Sequence, residues 1–357
     1  MPYELFGCRL QSPVIAGSSP LSLDAEAMLA LHRAGAGAVV TKNLCLPVRR
    51  NPYHYMRLSE GDTLINCERA LDYSRERWLA EEIPAAAAGG VVVIANIGIS
   101  REMIADTAER LEAAGAAMVE CVSYRADWLV EVVEKVRGQT KLPILAKLSP
   151  NYREIAAVAE ACRSAGADGF TVGDSIGPVM RIDIETGRPF SGGAEGLGWM
   201  SGAALKPFAV RNVVEVRRRF PGTPIIGMGG VTTSDDCIEM VMAGADLAGV
   251  CSALVTRGIQ IISEMNDGIA CYLRRHGLRD IGEIRGVVHR YLPPADTDRG
   301  MYVRIDGERC TRCDQCVRSC VYGAISVDPL SRLLRFDPDR CSGCGMCLNR
   351  CDALYEE

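Results

Sequence analysis

VVVIANI (91–97), followed after two residues by SREMIADTAERLEAAGA (100–116), is the stretch that decides the fold. A short apolar run reads as a strand, and the amphipathic, alanine-rich segment behind it reads as a helix. Working outward, the same unit recurs along residues 1–275. The other apolar runs are PVIAGSS (13–19), AVVTKN (38–43), AMVECVS (117–123), PILAKLS (143–149), GFTVGD (169–174), PIIGMGG (224–230) and LAGVCSA (247–253). Most are followed by a helix-like stretch, as NYREIAAVAEACRSAGA (151–167) follows the fifth. Alternation of strand and helix argues for a parallel sheet. Eight units in this length argue for a (β/α)8 TIM barrel of the α/β class rather than a doubly wound sheet. No GxGxxG follows the first strand, which counts against a dinucleotide-binding fold.

The C-terminal fifty residues read differently. Sixteen cysteines are a high count for 357 residues, and eight of them crowd between Cys310 and Cys351. They form two runs, Cys310-x2-Cys313-x2-Cys316-x3-Cys320 and Cys341-x2-Cys344-x2-Cys347-x3-Cys351. This spacing wraps three thiolates around one iron–sulfur cube and sends the fourth to the other cube. The expected ligand sets are Cys310, Cys313, Cys316 and Cys351 for one [4Fe–4S] cluster, and Cys341, Cys344, Cys347 and Cys320 for the second. Structural zinc also uses Cys-x2-Cys pairs, but rarely three cysteines spaced by two, twice over. The proline that usually follows the fourth cysteine is replaced by Val321 and Asp352. Between the runs, GAISVDPLSRLLRFDPD (323–339) suits a hairpin folding one half onto the other. Residues 301–355 resemble a bacterial-type two-cluster ferredoxin, a small α+β domain. The expected division is a barrel over 1–286, a linker over 287–300 and a ferredoxin-like domain over 301–357. One-electron clusters need a converter to serve two-electron chemistry, and a flavin is the usual one.

Composition excludes other classes. A net charge of −5 leaves no electrostatic footprint for nucleic acid or an anionic membrane. No apolar run reaches the length of a membrane span, and MPYELFGCRLQSP has no signal-peptide pattern. A cytoplasmic location is the expectation, and dense cysteines there point to metal rather than disulfides.

In a barrel of this kind, function sits at the C-terminal ends of the strands. There the sequence places Lys42, Asn96, Ser123, Tyr124, Lys147, Asp174, Ser175, the turn Gly227-Met228-Gly229-Gly230, and Cys251-Ser252. A single strand-end lysine is as readily a salt bridge to a neighbouring strand, and GMGG alone is merely a tight turn. Together they favour an anionic cofactor, because the glycines let backbone N–H groups approach a phosphate after strands seven and eight.

These residues resemble a known group, the class 1 dihydroorotate dehydrogenases and the flavin domain of dihydropyrimidine dehydrogenase. The resemblance is carried by VVTKN with Lys42, LIN with Asn66, KLSPN (147–151), GADGFTV (166–172), DIETGRP (183–189), SGAALKP (201–207), IIGMGG (225–230), AGADLAGV (243–250) and YLRRHGLRDIGEIRG (272–286). A barrel followed by two ferredoxin runs is similar to the catalytic subunit of bacterial NAD-dependent dihydropyrimidine dehydrogenase. The resemblance implies FMN. Ala16 and Gly17 would flank its ring, Lys42 and Lys147 would contact ring and ribityl, and Asn96 would approach the isoalloxazine. Gly202, Gly229, Gly230, Cys251 and Ser252 would hold ribityl and phosphate.

The departures from the family lie in the chemistry. Where strand four normally ends in Asn-Leu-Ser-Cys-Pro, this chain has Cys121-Val122-Ser123-Tyr124-Arg125. Tyr124 thus replaces the catalytic cysteine and is the expected proton donor, with Cys121 as a rival, Ser123 as a weaker one, and a plain wall residue as the alternative for Tyr124. Asn-Thr at the end of strand six becomes Asp174-Ser175, and a loop asparagine becomes Asp72. With Asn66, these form the expected substrate-binding set. Carboxylates only accept hydrogen bonds, so a cationic or donor-rich substrate fits them better than orotate, unless they bind Arg69 or Arg125 instead.

The expected function is an FMN- and iron–sulfur-dependent oxidoreductase acting on a C=C or C=N bond of a small substrate, heterocycles included. Hydride would pass at flavin N5 and electrons would leave or enter singly through the clusters. A soluble ferredoxin or a flavin-containing NAD(P)H subunit would be the partner, in a homodimer or hetero-oligomer. The alternatives are a true dihydropyrimidine or dihydroorotate dehydrogenase, and a non-catalytic electron-transfer subunit.

Overall fold

The computed structural model describes residues 3–69, 73–293 and 303–356. The chain divides into two compact units, Met1–Tyr291 and Leu292–Glu357.

The first unit is a closed barrel of eight parallel strands. They are β1 (Val14–Ala16), β2 (Ala38–Val40), β3 (Val93–Gly98), β4 (Met118–Val122), β5 (Ile144–Leu148), β6 (Gly169–Val172), β7 (Ile225–Met228) and β8 (Leu247–Val250). All eight apolar runs are barrel strands. They read as continuous apolar stretches because both faces of each strand are buried. Side chains alternate between the faces. Ile15, Val40, Ile94, Met118, Leu145, Ile226 and Leu247 point inward and fill the barrel, closed from below by Leu5 and Leu10 of the hairpin Tyr3–Leu5/Cys8–Leu10. Their neighbours Val14, Val39, Val93, Val119 and Ile144 point outward into the layer beneath the helices.

The helical ring follows ordinary end chemistry. Asp24 caps Ala25–Arg33 by accepting from Ala27 N at 2.8 Å. Thr233 and Asp236 form a reciprocal capping box at the start of Ser234–Ala243. The helix expected over 100–116 is two, Arg101–Ile104 and Thr107–Ala114, because Ala105 adopts a φ of 51° between them.

A four-stranded sheet, absent from the sequence reading, covers the C-terminal mouth of the barrel. Its order is Ile176–Val179, Gly198–Gly202, Thr63–Asn66, Met56–Leu58. Two of its strands come from the segment after β2 and two from the segment after β6. They run only three to five residues and are partly exposed, so no apolar run announces them. The first half of the expected linker also differs. Val287–Arg290 is a 3-10 turn within the barrel unit, held by Gly286 N donating to Val241 O and by His289 Nε2 beside Ala243 O at 3.1 Å. Residues 294–300 of that linker lie outside the described residues.

The second unit pairs Val303–Ile305 with Leu354–Glu356, and Ile325–Val327 with Leu334–Phe336. The latter is the hairpin expected between the cysteine runs. Asp328 fixes its turn by accepting from Leu330 N and Ser331 N. Among the described residues no helix is long and apolar enough to cross a membrane.

Gly173 connects β6 to the site. Its φ is +133°, and a Cβ there would lie 1.7 Å from Met228 O on β7. Gly173→Ala is expected to lower stability by at least about 2 kcal/mol, read from the chemical-denaturation midpoint. A variant within about 0.5 kcal/mol of wild type would show that β6 and β7 separate freely.

Candidate active site and cluster-binding thiols

Above the apolar plug, the next inward layer is polar. Register places Asn96 opposite Glu120 across β3 and β4, and Lys147 opposite Thr171 across β5 and β6. Glu120 has no solvent exposure. Its Oε1 accepts from Asn96 Nδ2 at 2.7 Å, its Oε2 accepts from Thr171 Oγ1 at 2.7 Å, and Lys147 Nζ lies 3.6 Å from Oε1. One carboxylate thus ties four consecutive strands at one level. Lys147 also lies 4.0 Å from Asp174. Burial alone would lower the lysine's pKa, but Asp174 and Glu120 outweigh it and raise it, so the ammonium stays charged.

This layer floors a cavity of about 700 Å³ roofed by the four-stranded sheet. Lys42, Asn96 and Lys147 line it from the barrel, and Asn66 and Trp199 from the roof. Gly202, Gly229, Gly230, Cys251 and Ser252 line it too, as do Tyr124, Asp174 and Ser175. Tyr124 stacks on Trp199 with ring centroids 4.3 Å apart and a 27° interplanar angle. Tyr124 is 39% exposed, yet enclosed by the groups that line the cavity. That burial, and then the charge of Asp174, push the phenol pKa up; Lys147 and a hydrogen bond with Ser175 partly offset them. Asn66 Nδ2 reaches Trp199 O at 3.5 Å. Burial pushes the Cys251 thiol up to about 11, and it donates to Ser18 O at 3.3 Å. It is a neutral donor near neutral pH, not a nucleophile.

Four expected site residues, Cys121, Ser123, Ala16 and Gly17, do not line the cavity. Cys121 is fully buried among the outward-facing core residues. The reason is the strand period: Glu120 and Val122 face in, so Cys121 between them faces out. Ser123 is also buried, its hydroxyl donating to Ile99 O at 2.8 Å and its carbonyl accepting from Tyr152 Oη at 2.6 Å. The side chain of Ala16 packs outward, while Gly17 stands where a Cβ would meet Met228 Cε at 2.9 Å. Asp72 lies outside the described residues. Arg125 pairs with Asp127 rather than with Asp174.

The sequence reading missed four residues that matter. Glu120 was legible as a glutamate inside an apolar strand. Glu68, which pairs with Lys42, and Trp199 come from the roof and carried no signal. Tyr152 braces the turn that presents Tyr124.

The donor set suits FMN. The cavity lies within the usual range for a cofactor-sized site, and Gly229 and Gly230 line it at the strand-seven turn, where backbone N–H groups can approach a phosphate closely. Asn43 Nδ2, buried at the cavity wall, has no acceptor among the described residues.

In the second unit, one cavity is lined by Cys320 together with Cys341, Cys344 and Cys347. Cys316 has Cys351 and Cys310 as close neighbours, and Cys347 has Cys320 and Cys344. Both groupings follow the crossed ligand sets. Ala324 N donates to Cys320 Sγ at 3.2 Å and Gly343 N to Cys341 Sγ at 3.4 Å, donors that stabilise thiolate charge.

Two outcomes follow from this geometry. Cys320→Ser is expected to halve bound iron and to alter the same paramagnetic signal as Cys344→Ser; sharing the signal of Cys313→Ser would refute the crossing. Tyr152→Phe removes the brace on Ser123 O, so turnover is expected to fall about tenfold while the flavin spectrum and content are retained. Unchanged turnover would leave Tyr152 a core filler.

Residues 112–273 match the family model described as dihydroorotate dehydrogenase, and residues 302–352 the one described as a 4Fe-4S dicluster domain. The chain is 32% identical over 295 residues to the catalytic subunit of dihydroorotate dehydrogenase B (NAD(+)) of Methanothermobacter thermautotrophicus, covering 78% of this chain and 95% of that protein. It is 33% identical over 302 residues to the corresponding subunit of Desulforudis audaxviator, covering 80% and 96%. To the NAD-dependent dihydropyrimidine dehydrogenase subunit PreA of Escherichia coli K12 it is 28% identical over 351 residues, covering 89% of this chain and 84% of that one. The cofactors are FMN in the barrel and two [4Fe–4S] clusters in the C-terminal unit. With these relatives matched nearly end to end, the chain belongs to the dihydroorotate dehydrogenase family, as an iron–sulfur flavoprotein oxidoreductase acting on CH–CH groups.

Proposed function

We propose that the cavity interconverts a C=C or C=N bond of a small ring compound and its dihydro form, with the Tyr124 phenol as the proton donor in the reducing direction. The observation that carries this reading is the placement of Tyr124. It reaches the cavity where Cys121 and Ser123 do not. Burial and Asp174 hold its proton on, and a phenol kept protonated is a general acid rather than a base. Asn66, Asp174 and Ser175 stand around it as the groups that orient a substrate. FMN, when bound, supplies two-electron exchange with substrate and one-electron exchange with the clusters. Lys147, held charged by Glu120 and Asp174, offers a fixed positive charge to an electron-rich ring.

Electrons then cross to an outside partner, a flavin-containing NAD(P)H subunit or a soluble ferredoxin. The relatives named as subunits support a hetero-oligomer, and reduced, cluster-bearing thiols suit the cytoplasm. A true dihydropyrimidine dehydrogenase is the favoured second reading, because the Escherichia coli relative aligns across barrel and cluster unit together. A non-catalytic relay would instead show flavin reduction by a partner and no reaction with any small molecule.

The test is flavin bleaching and reoxidation with uracil, thymine, orotate and their dihydro forms. Tyr124→Phe is expected to lose about 10²- to 10⁴-fold in turnover with the flavin still bound; unchanged turnover removes Tyr124 from the mechanism. The raised phenol pKa also sets a pH signature. Deprotonation disables the acid, and it occurs above the usual value of about 10, so the donor limb of the rate profile is expected to stay flat through pH 9. A fall near pH 8 would point to another group.

A further inference from the structure

The cavity contains two buried ammonium groups, and the chain's own carboxylates pair with both. Lys147 has Glu120 and Asp174. Lys42, 7% exposed, is in direct ion contact with Glu68, 17% exposed. The two partners arrive from opposite sides. Lys42 follows β2 at the barrel floor, while Glu68 follows the roof strand Thr63–Asn66. The pair therefore clamps the roof onto the barrel and cancels a positive charge that would otherwise face the cavity.

Buried charges favour a ligand only when they are free to meet it. A ring carrying a carboxylate would have to displace Glu68 from Lys42 and then lie beside Glu68 and Asp174, like charges in a water-poor space. Arg49 and Arg69 also line the cavity, but both are exposed at its mouth, where water and salt screen their pull. A carboxylate-free ring with N–H groups meets acceptors instead. It also finds a flat aromatic wall in the stacked Tyr124 and Trp199.

We propose that Glu68 is a specificity-determining residue that neutralises Lys42 and closes the cavity to carboxylate-bearing rings, reserving it for carboxylate-free, N–H-donating rings. This rests on the reading of the cavity as the substrate site, but not on Tyr124 as the acid.

Uracil and orotate share a ring and differ by one carboxylate, so they isolate the effect. Equilibrium binding of each to the flavin- and cluster-loaded protein, by titration calorimetry, is expected to favour uracil by at least about tenfold. Glu68→Gln keeps the side chain's size and frees Lys42. Its orotate affinity is expected to rise by at least about tenfold, with uracil changed by less than about threefold. Adding Lys42→Met to Glu68→Gln is expected to remove the gain. Wild-type protein that binds orotate as tightly as uracil overturns the proposal, and needs no variant. A well-folded Glu68→Gln protein with no gain for orotate overturns it as well, even if the natural ring is neither probe. Because binding requires no turnover, loss of the Tyr124 reading would leave this result standing.

Discussion

A carboxylate with no access to solvent sits at the waist of the barrel, and the site above depends on it. Glu120 accepts from Asn96 and Thr171 and lies within ion-pair reach of Lys147. Removing one partner of such a buried pair typically costs about 3–5 kcal/mol, because the other charge is left without water or counter-charge. Each group that meets the Glu120 carboxylate comes from a different strand, so the network fixes the level of four strands as well as the charge state of Lys147. Evolution could have filled this layer with Leu and Val, as in the plug below it. The polar layer gives up that apolar burial and supplies instead a rigid, charged floor.

The roof completes the enclosure. Four short strands from two insertions bring Asn66, Glu68 and Trp199 over the floor. Tyr124 then lies between Trp199 and the strand-six end, in a space whose electrostatics are set by fixed groups rather than by water. That is why the phenol keeps its proton, and why ion pairs such as Lys42–Glu68 bear on which ring can enter. The same burial makes Cys251 a neutral donor near neutral pH.

The second unit follows another logic. Among the described residues its core is small, made of Val303, Cys316, Ile325, Cys347 and Leu354, and two of those five belong to the two cysteine runs. A core this size leaves little stability without its inorganic centres. Cluster binding and folding are therefore coupled in this unit, whereas the barrel holds its shape by its own packing.

Much was legible in the sequence, for identifiable reasons. The eight strands were legible because each is buried on both faces and so written as a continuous apolar run. The dicluster unit was legible because iron–sulfur cubes demand a local spacing of thiolates, which the two cysteine runs record directly. Lys42, Asn96, Lys147, Asp174 and the strand-seven glycines were legible as strand-end residues. Tertiary structure alone decided three other matters. It turned Cys121 away from the cavity, since a one-residue step along a strand reverses a side chain. It brought Glu68 to Lys42 and Trp199 to Tyr124, because the roof joins segments far apart in the chain with no periodic pattern to betray them. It also showed Glu120 as the residue that binds the layer together. Local spacing and burial on both faces are properties of a segment and can be read from it. Charge pairing and stacking between segments are properties of their meeting, and exist only once the chain has closed.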